Sequence, residues 1–222
     1  MKNMILSFLF AGVGIFCVLS SGCKNTPNVT EEPVTRDTSG HVIAMKPNIY
    51  LYPEKTCSLS VKIGFPLGGE VIKSIPHYTV EWNIEVEPSG RINNEYDYLF
   101  YESSNPDVFQ YRSGWIVEKD SLLSFFERNL IKTGFSEREK NDFNDYWIPR
   151  LVDYPYYIVY PQYAKDIELA ITLNFSVKPD NVLRLFYVIK GTTNNSITLG
   201  TPVIPAFNRQ GFVAAEWGVI LK

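Results

Sequence analysis

Alternation of apolar and polar residues is the feature that most constrains the fold of this chain. Apolar side chains occupy every second position in residues 58–65, 79–87 and 167–177. This period predicts strands with one face on a core and the other in water. Residues 182–189 (VLRLFYVI) are apolar on both faces except at Arg184, which predicts a central strand covered on both sides. Further strands are predicted at 48–52, 96–102, 114–118, 155–160 and 211–221.

One region has helical spacing instead. Residues 121–133 place Leu122, Leu123, Phe126 and Leu130 on one face, between Asp120 as N-cap and Gly134 as C-cap. A second helix is expected to open at a capping box formed by Ser136 and Glu139, to be anchored by Phe143 and Trp147, and to stop at Pro149. Together these patterns predict a β-dominated α+β domain. Its largely antiparallel, sandwich-like sheets would receive an inserted helix-turn-helix pair at about 121–148.

The N-terminus has the pattern of an export signal. Lys2 precedes an uncharged apolar run, Met4 to Leu19, that is shorter than the roughly 20 residues a membrane-spanning helix needs. The stretch Leu19-Ser20-Ser21-Gly22-Cys23 resembles a bacterial lipoprotein signal, although Ser20 stands where such signals usually have Leu. The alternatives are an ordinary secretory signal with an incidental Cys and, less favoured by the length, a retained membrane anchor.

These features predict three segments. Residues 1–22 would be a lipoprotein signal peptide, 23–45 a flexible tether rich in Thr, Pro and Asn, and 46–222 a single β-rich globular domain. Cys23 would carry the lipid. The protein is therefore expected to be exported and anchored to a bacterial membrane in the cell envelope.

Composition excludes several classes of function. The formal net charge of −3 argues against a nucleic-acid partner, which would call for a basic surplus. Two His and three Cys leave little material for a metal site, and His77 is the only His within 46–222. No GxSxG elbow and no phosphate-binding glycine loop occurs in the sequence. We therefore expect no metal, no cofactor and no recognisable catalytic residue.

Six stretches resemble sequences of an uncharacterised family of bacterial envelope and secreted proteins. They are KPNIYLYP (46–53), EYDYLFYE (95–102), SGWIV (113–117), DYWIPRL (145–151), LRLFYVIK (183–190) and GFVAAEWG (211–218). The family pattern often has Trp after YLF, where this chain has Tyr101. The resemblance spans nearly all of 46–222. It implies one autonomous domain and assigns no activity, ligand or catalytic residue.

Aromatic residues are the first candidate for binding, since they reach 14% of the chain. The densest group contains Tyr154, Tyr156, Tyr157 and Tyr160. Exposed tyrosines offer a flat apolar face with a polar tip, which suits sugar stacking and protein interfaces. The competing interpretation is that these rings fill a β-rich core, because strands favour aromatic side chains.

Charges inside apolar strands are the second candidate. Glu102 ends the run YLFY, Glu216 is embedded in FVAAEWGVIL, and Arg184 lies in VLRLFYVI. A buried charge must be paired or functional, because isolated burial is costly. The structural interpretation is an ion pair between Arg184 and one of the two glutamates on adjacent strands. The catalytic one is a two-carboxylate hydrolytic site with Trp217 as a sugar platform.

Three hypotheses of function follow. The favoured one is a non-catalytic envelope lipoprotein whose domain binds a surface protein or glycan. The second is a polysaccharide hydrolase using paired carboxylates. The third is a structural subunit of an envelope complex that docks through aromatic edge strands.

Overall fold

Residues 40–222, described by a computed structural model, form three layers. The middle layer is a seven-stranded sheet of order β3-β5-β1-β10-β9-β7-β6. A three-stranded sheet of order β4-β2-β8 covers one of its faces, and a pair of helices covers the other. The strands are β1 (His41–Tyr52), β2 (Cys57–Gly64), β3 (Glu70–Ile75), β4 (Trp82–Val86), β5 (Leu99–Pro106), β6 (Trp115–Glu118), β7 (Tyr156–Tyr163), β8 (Thr172–Phe175), β9 (Asn181–Thr192) and β10 (Val213–Leu221).

The large sheet separates two apolar cores. Side chains such as Ile49, Val61 and Phe186 fill the core between the two sheets. The second core lies between the large sheet and the helices and contains Phe126, Phe143 and other large rings. Residues on β9 and β10 alternate between the two cores, so both strands are buried on both faces along most of their length. This confirms the prediction for 183–189, whereas Val182 is 40% exposed.

The helices are α1 (Leu122–Thr133), α2 (Glu137–Trp147) and the short α3 (Ala164–Ile167), with 3-10 turns at Lys119–Ser121 and Ile148–Arg150. Gly134 caps α1 with a left-handed φ of 114°, as predicted. The capping box of Ser136 and Glu139 at the start of α2 is present. Phe143 and Trp147 are fully buried, which confirms them as anchors.

The β-dominated α+β fold is confirmed, and four details of the prediction are wrong. Residues 167–177 contain the end of α3 and a turn before β8, so only 172–175 form a strand. Strand β3 was not foreseen, Leu123 is 47% exposed, and Ser121 rather than Asp120 is the N-cap of α1.

Pairing within the large sheet is mixed. Strands β9 and β10 run parallel, whereas the other pairs are antiparallel. The connection 193–212 has no helix or strand of its own, but it is long enough to bring the chain back to the end of the sheet at which β9 begins.

Strand β1 begins at His41, five positions before the predicted domain start at Lys46. The predicted signal peptide 1–22, Cys23 and most of the tether lie outside the described residues. Within 40–222, no helix has both the length and the apolar character needed to cross a bilayer.

Candidate functional site

A bulge in β1 shapes the most unusual site of the described chain. Four residues of β1 (Met45 to Asn48) oppose three of β10 (Trp217 to Val219), and β1 has one extra residue against β5 as well. Lys46 takes a left-handed φ of 55°, which is uncommon for a residue with a side chain. Pro47 follows it and has no backbone N–H to donate to a neighbouring strand, so the extra residue of the bulge is accommodated at Lys46-Pro47. Such backbone outliers cluster at functional positions.

The bulge changes which residues of β1 face each core. Before it, the even-numbered Val42 and Ala44 face the core between the sheets, and after it the odd-numbered Ile49 and Leu51 do. Asn48 and Tyr50 therefore point toward the helices, beside the side chain of Lys46.

Three aromatic rings surround the ammonium of Lys46. Its Nζ lies 4.5 Å from the ring centroid of Phe100, 5.0 Å from that of Tyr98 and 5.4 Å from that of Tyr146. These rings come from β5, from the residue before it and from the end of α2. The arrangement attracts a cation through the negative faces of the rings. Tyr98 and Tyr146 are half-buried, so the site opens to solvent.

Polar partners of Lys46 are few. Its one side-chain hydrogen bond within the described chain is a long donation to the Tyr98 hydroxyl, at 3.4 Å. Among residues 40–222, no carboxylate oxygen lies within 4.0 Å of Nζ. Within the described chain, the half-buried ammonium of Lys46 therefore has no ion-pair partner and only one hydrogen-bond acceptor, which makes its burial costly.

A polar chain runs beneath the rings. The Asn48 side-chain NH₂ donates to the Tyr50 hydroxyl at 3.4 Å, and that hydroxyl donates to Asp142 Oδ2 at 3.0 Å. This fixes the orientation of the Asn48 amide and leaves Oδ1, on a side chain 1% exposed, without a partner among the described residues. The indole Nε1 of Trp217, the residue paired with Asn48 across the strands, is also buried without a partner there.

Burial perturbs the titration of two groups in opposite directions. It lowers the pKa of Lys46 to about 8, although the charges of Glu102 and Asp142 act against the shift. It raises the pKa of Asp142, against the hydrogen bond from Tyr50 and the charge of Arg138. Perturbed groups that share a partly open site are typical of functional positions.

Two further charges border the opening. The Arg150 guanidinium carbon lies 3.8 Å from the Tyr146 ring centroid, and its Nη1 donates to the Tyr146 carbonyl at 2.7 Å. Glu102 is half-buried on β5, on the same face as Phe100. We refer to Lys46, Asn48, Tyr50, Tyr98, Phe100, Glu102, Asp142, Tyr146 and Arg150 as the Lys46 site.

Four stretches that were singled out in the sequence meet here. Residues 46–53, 95–102 and 145–151 supply the rings and charges of the Lys46 site except Asp142. The stretch 211–218 places Trp217 against Tyr50, with ring centroids 6.4 Å apart. Apart from Glu102, none of the site's residues was predicted as a binding candidate. The available signal was Lys46-Pro47, a charge and a strand breaker inside an apolar run.

The predicted ion pair is present on the other face of the large sheet. Arg184 Nε lies 2.6 Å from Glu216 Oε2, and the Tyr101 hydroxyl donates to Glu216 Oε1 at 2.8 Å. Arg184 also donates to the Ile171 carbonyl at 2.8 Å. Both charged side chains are about 1% exposed. The group is a buried structural network in which Arg184 Nη2 has no hydrogen-bond partner among the described residues, and its carboxylate is out of reach of a ligand in solution.

Glu102 and Glu216 do not share a site. Glu102 follows Tyr101 on β5, and successive strand residues point to opposite faces. Tyr101 binds Glu216 in the core between the sheets, so Glu102 points toward the helices. Trp217 is fully buried against Phe143 and cannot act as an exposed sugar platform.

The tyrosine group is divided between core and surface. Tyr157 and Tyr160 are buried at 4% and 8% exposure, whereas Tyr154 is 45% exposed and Tyr156 is half-buried. They lie on or beside β7, which β10 and β9 separate from β1. The structure therefore does not bring them to the Lys46 site.

Two depressions of the described surface are shallow and lack aromatic side chains. One lies on the helices and is lined by Glu127, Arg128, Ile131, Lys132 and Lys140. Another lies on the outer face of the small sheet, around Ser58, Ser60, Asn83 and Ser176. No group of metal-ligating side chains occurs within the described part of the chain.

Comparisons of the chain with family models, with curated proteins and with solved structures give no match.

Proposed function

We propose that this protein is a non-catalytic, lipid-anchored binding module of the bacterial envelope, and that it binds a surface glycan at the Lys46 site. The observation that carries the proposal is the half-buried ammonium of Lys46, enclosed by three rings without an ion pair to any residue of 40–222.

The cost of this arrangement supports a functional role. A left-handed backbone at Lys46 and a desolvated charge each reduce the stability of the fold. A Met or Leu at this position would fill the same space without a buried charge. Features that lower stability in this way are typical of binding sites, where the missing partner comes from the ligand.

The surrounding groups suit a sugar. Tyr98 and Tyr146 are half-buried, and a pyranose can place its apolar face against the Tyr98 ring and against the part of Tyr146 that Arg150 does not cover. Glu102 and Asp142 are half-buried, and carboxylate oxygens are acceptors for hydroxyl groups. A few oriented polar groups within an aromatic wall are the usual composition of a small-ligand site.

The envelope location rests on the sequence. The Leu19–Cys23 signal and the Thr- and Pro-rich segment after it support a lipid on Cys23 and a tether that holds the domain near the membrane. Such a domain meets the surface polymers of the cell at high local concentration.

Direct binding measurements test the proposal. The full mature chain would be screened on an array of bacterial surface glycans, with affinities then measured by calorimetry. We expect at least one glycan to bind, and Lys46→Met and Tyr146→Leu to weaken it at least tenfold. The matched controls are Lys62→Met, on the exposed face of β2, and Tyr154→Leu, an exposed tyrosine beside β7. Binding that the control pair weakens and the Lys46 pair does not would refute the assignment of the site.

A further inference from the structure

We infer that the glycan bound at the Lys46 site is acidic, and that a sugar-ring carboxylate of uronic-acid type binds the Lys46 ammonium. This inference rests on the proposed function and adds the chemical class of the ligand.

Lys46 lacks hydrogen-bond partners for two of its three donors within the described part of the chain. An ammonium has three donors, and one of them is used, at 3.4 Å, on the Tyr98 hydroxyl. Ring faces attract the cation but accept no conventional hydrogen bond. The two remaining donors require acceptors from outside the described residues, and a carboxylate supplies both acceptors and the opposite charge.

The charged side chains around Lys46 do not balance one another. Besides its own charge, the groups that act on it are Glu102 from β5, Asp142 from α2, Lys73 from β3 and Arg150 from the 3-10 turn after α2. Three cations and two carboxylates leave a single unit of positive charge. This favours a ligand group with one negative charge over a phosphate monoester, which would bring nearly two beside Glu102 and Asp142.

The aromatic rings beside Lys46 restrict the part of the ligand that carries the carboxylate. The carboxylate must reach an ammonium whose Nζ lies 5.0 Å from the Tyr98 ring centroid and 5.4 Å from that of Tyr146, so the group that bears it comes into contact with this aromatic wall. A uronic acid satisfies both conditions, because its carboxylate is attached directly to a pyranose ring with an apolar face.

The experiment compares each acid with its neutral ester. Oligosaccharides of galacturonic, glucuronic and mannuronic acid, and the methyl ester of each, would be titrated calorimetrically into the full mature chain at pH 6. The ester keeps the ring and removes the charge. We expect at least one acid to bind about ten- to a hundredfold more tightly than its ester, as for a charge-assisted hydrogen bond. In Lys46→Met, acid and ester should bind equally, because both changes remove the same interaction.

Each outcome separates the two proposals. If an ester binds as tightly as its acid, or if neutral glycans alone bind and Lys46→Met weakens them, the carboxylate inference is wrong and the proposed function stands. If a phosphorylated sugar or poly-glutamate binds and no uronate does, the inference is also wrong. If no glycan of any kind binds, both proposals fall.

Discussion

Replacing Lys46 by Met should stabilise the protein at neutral pH, which is unusual for a change inside a packed site. Met keeps the length and the apolar stem that contacts Phe100 and the two tyrosines, and it removes the charge. The drop of the Lys46 pKa from 10.5 to about 8 corresponds to about 3 kcal/mol of unfavourable desolvation in the folded state. Attraction by the rings and partial exposure offset some of this. We expect a net gain of about 1–3 kcal/mol.

The gain should depend on pH. Above about pH 8 the folded protein releases the Lys46 proton, whereas the unfolded chain keeps it up to about 10.5. Stability rises with pH wherever the unfolded state binds more protons. The parent protein should therefore recover stability relative to Lys46→Met between pH 8 and 10, and the difference between the two should shrink. Tyrosine ionisation affects both proteins equally and cancels in this comparison.

Urea unfolding followed by tryptophan fluorescence measures this difference at pH 7, 8.5 and 10. Lys62→Met, which removes an exposed lysine from β2, is the matched control and should stay within about 0.5 kcal/mol of the parent at each pH. A Lys46→Met protein that is less stable than the parent at pH 7, or equally displaced at all three pH values, would show that the site does not desolvate this charge.

Three further outcomes are expected. Arg184→Met should lower the free energy of unfolding, measured by urea titration, by about 3–5 kcal/mol, because it leaves the Glu216 carboxylate buried without its cation. Adding Glu216→Leu should restore much of this loss, and an Arg184→Met protein as stable as the parent would contradict the buried pair. Cys23→Ala should move the protein from the membrane fraction to the soluble fraction of cells, and an unaltered membrane fraction would argue against lipidation. The segment 40–222 should melt in one calorimetric transition, because both cores share the large sheet, and two separate transitions would reveal a missed domain boundary.

Local patterns predicted the elements of this fold better than their pairing. Gly134 and the box of Ser136 and Glu139 act within one or two turns of chain, so their sequence spacing is sufficient. The apolar alternation of 167–177 was misleading because Ile167 and Ile171 are buried from a short helix and a turn, four residues apart. The parallel pairing of β9 with β10 depends on where 193–212 leads the chain, which periodicity does not record.

The site was less predictable than the fold. The Arg184–Glu216 pair could be anticipated because each charge interrupts an apolar run, and burial then demands a partner. Lys46 interrupts such a run too, but its role depends on a bulge and on rings from β5 and α2. The tyrosine group attracted attention by density alone, and density does not distinguish Tyr154 on the surface from Tyr157 in the core.

The position of β10 has a consequence for how the chain reaches its native state. In the large sheet, β10 lies between β1 and β9. Strands β5 and β3 follow on the side of β1, and strands β7 and β6 follow on the side of β9. A chain that has emerged only to residue 212 therefore holds two half-sheets without the strand that connects them. Contacts between residues so distant in sequence slow folding. Assembly of the complete seven-stranded sheet must then wait until β10 is available.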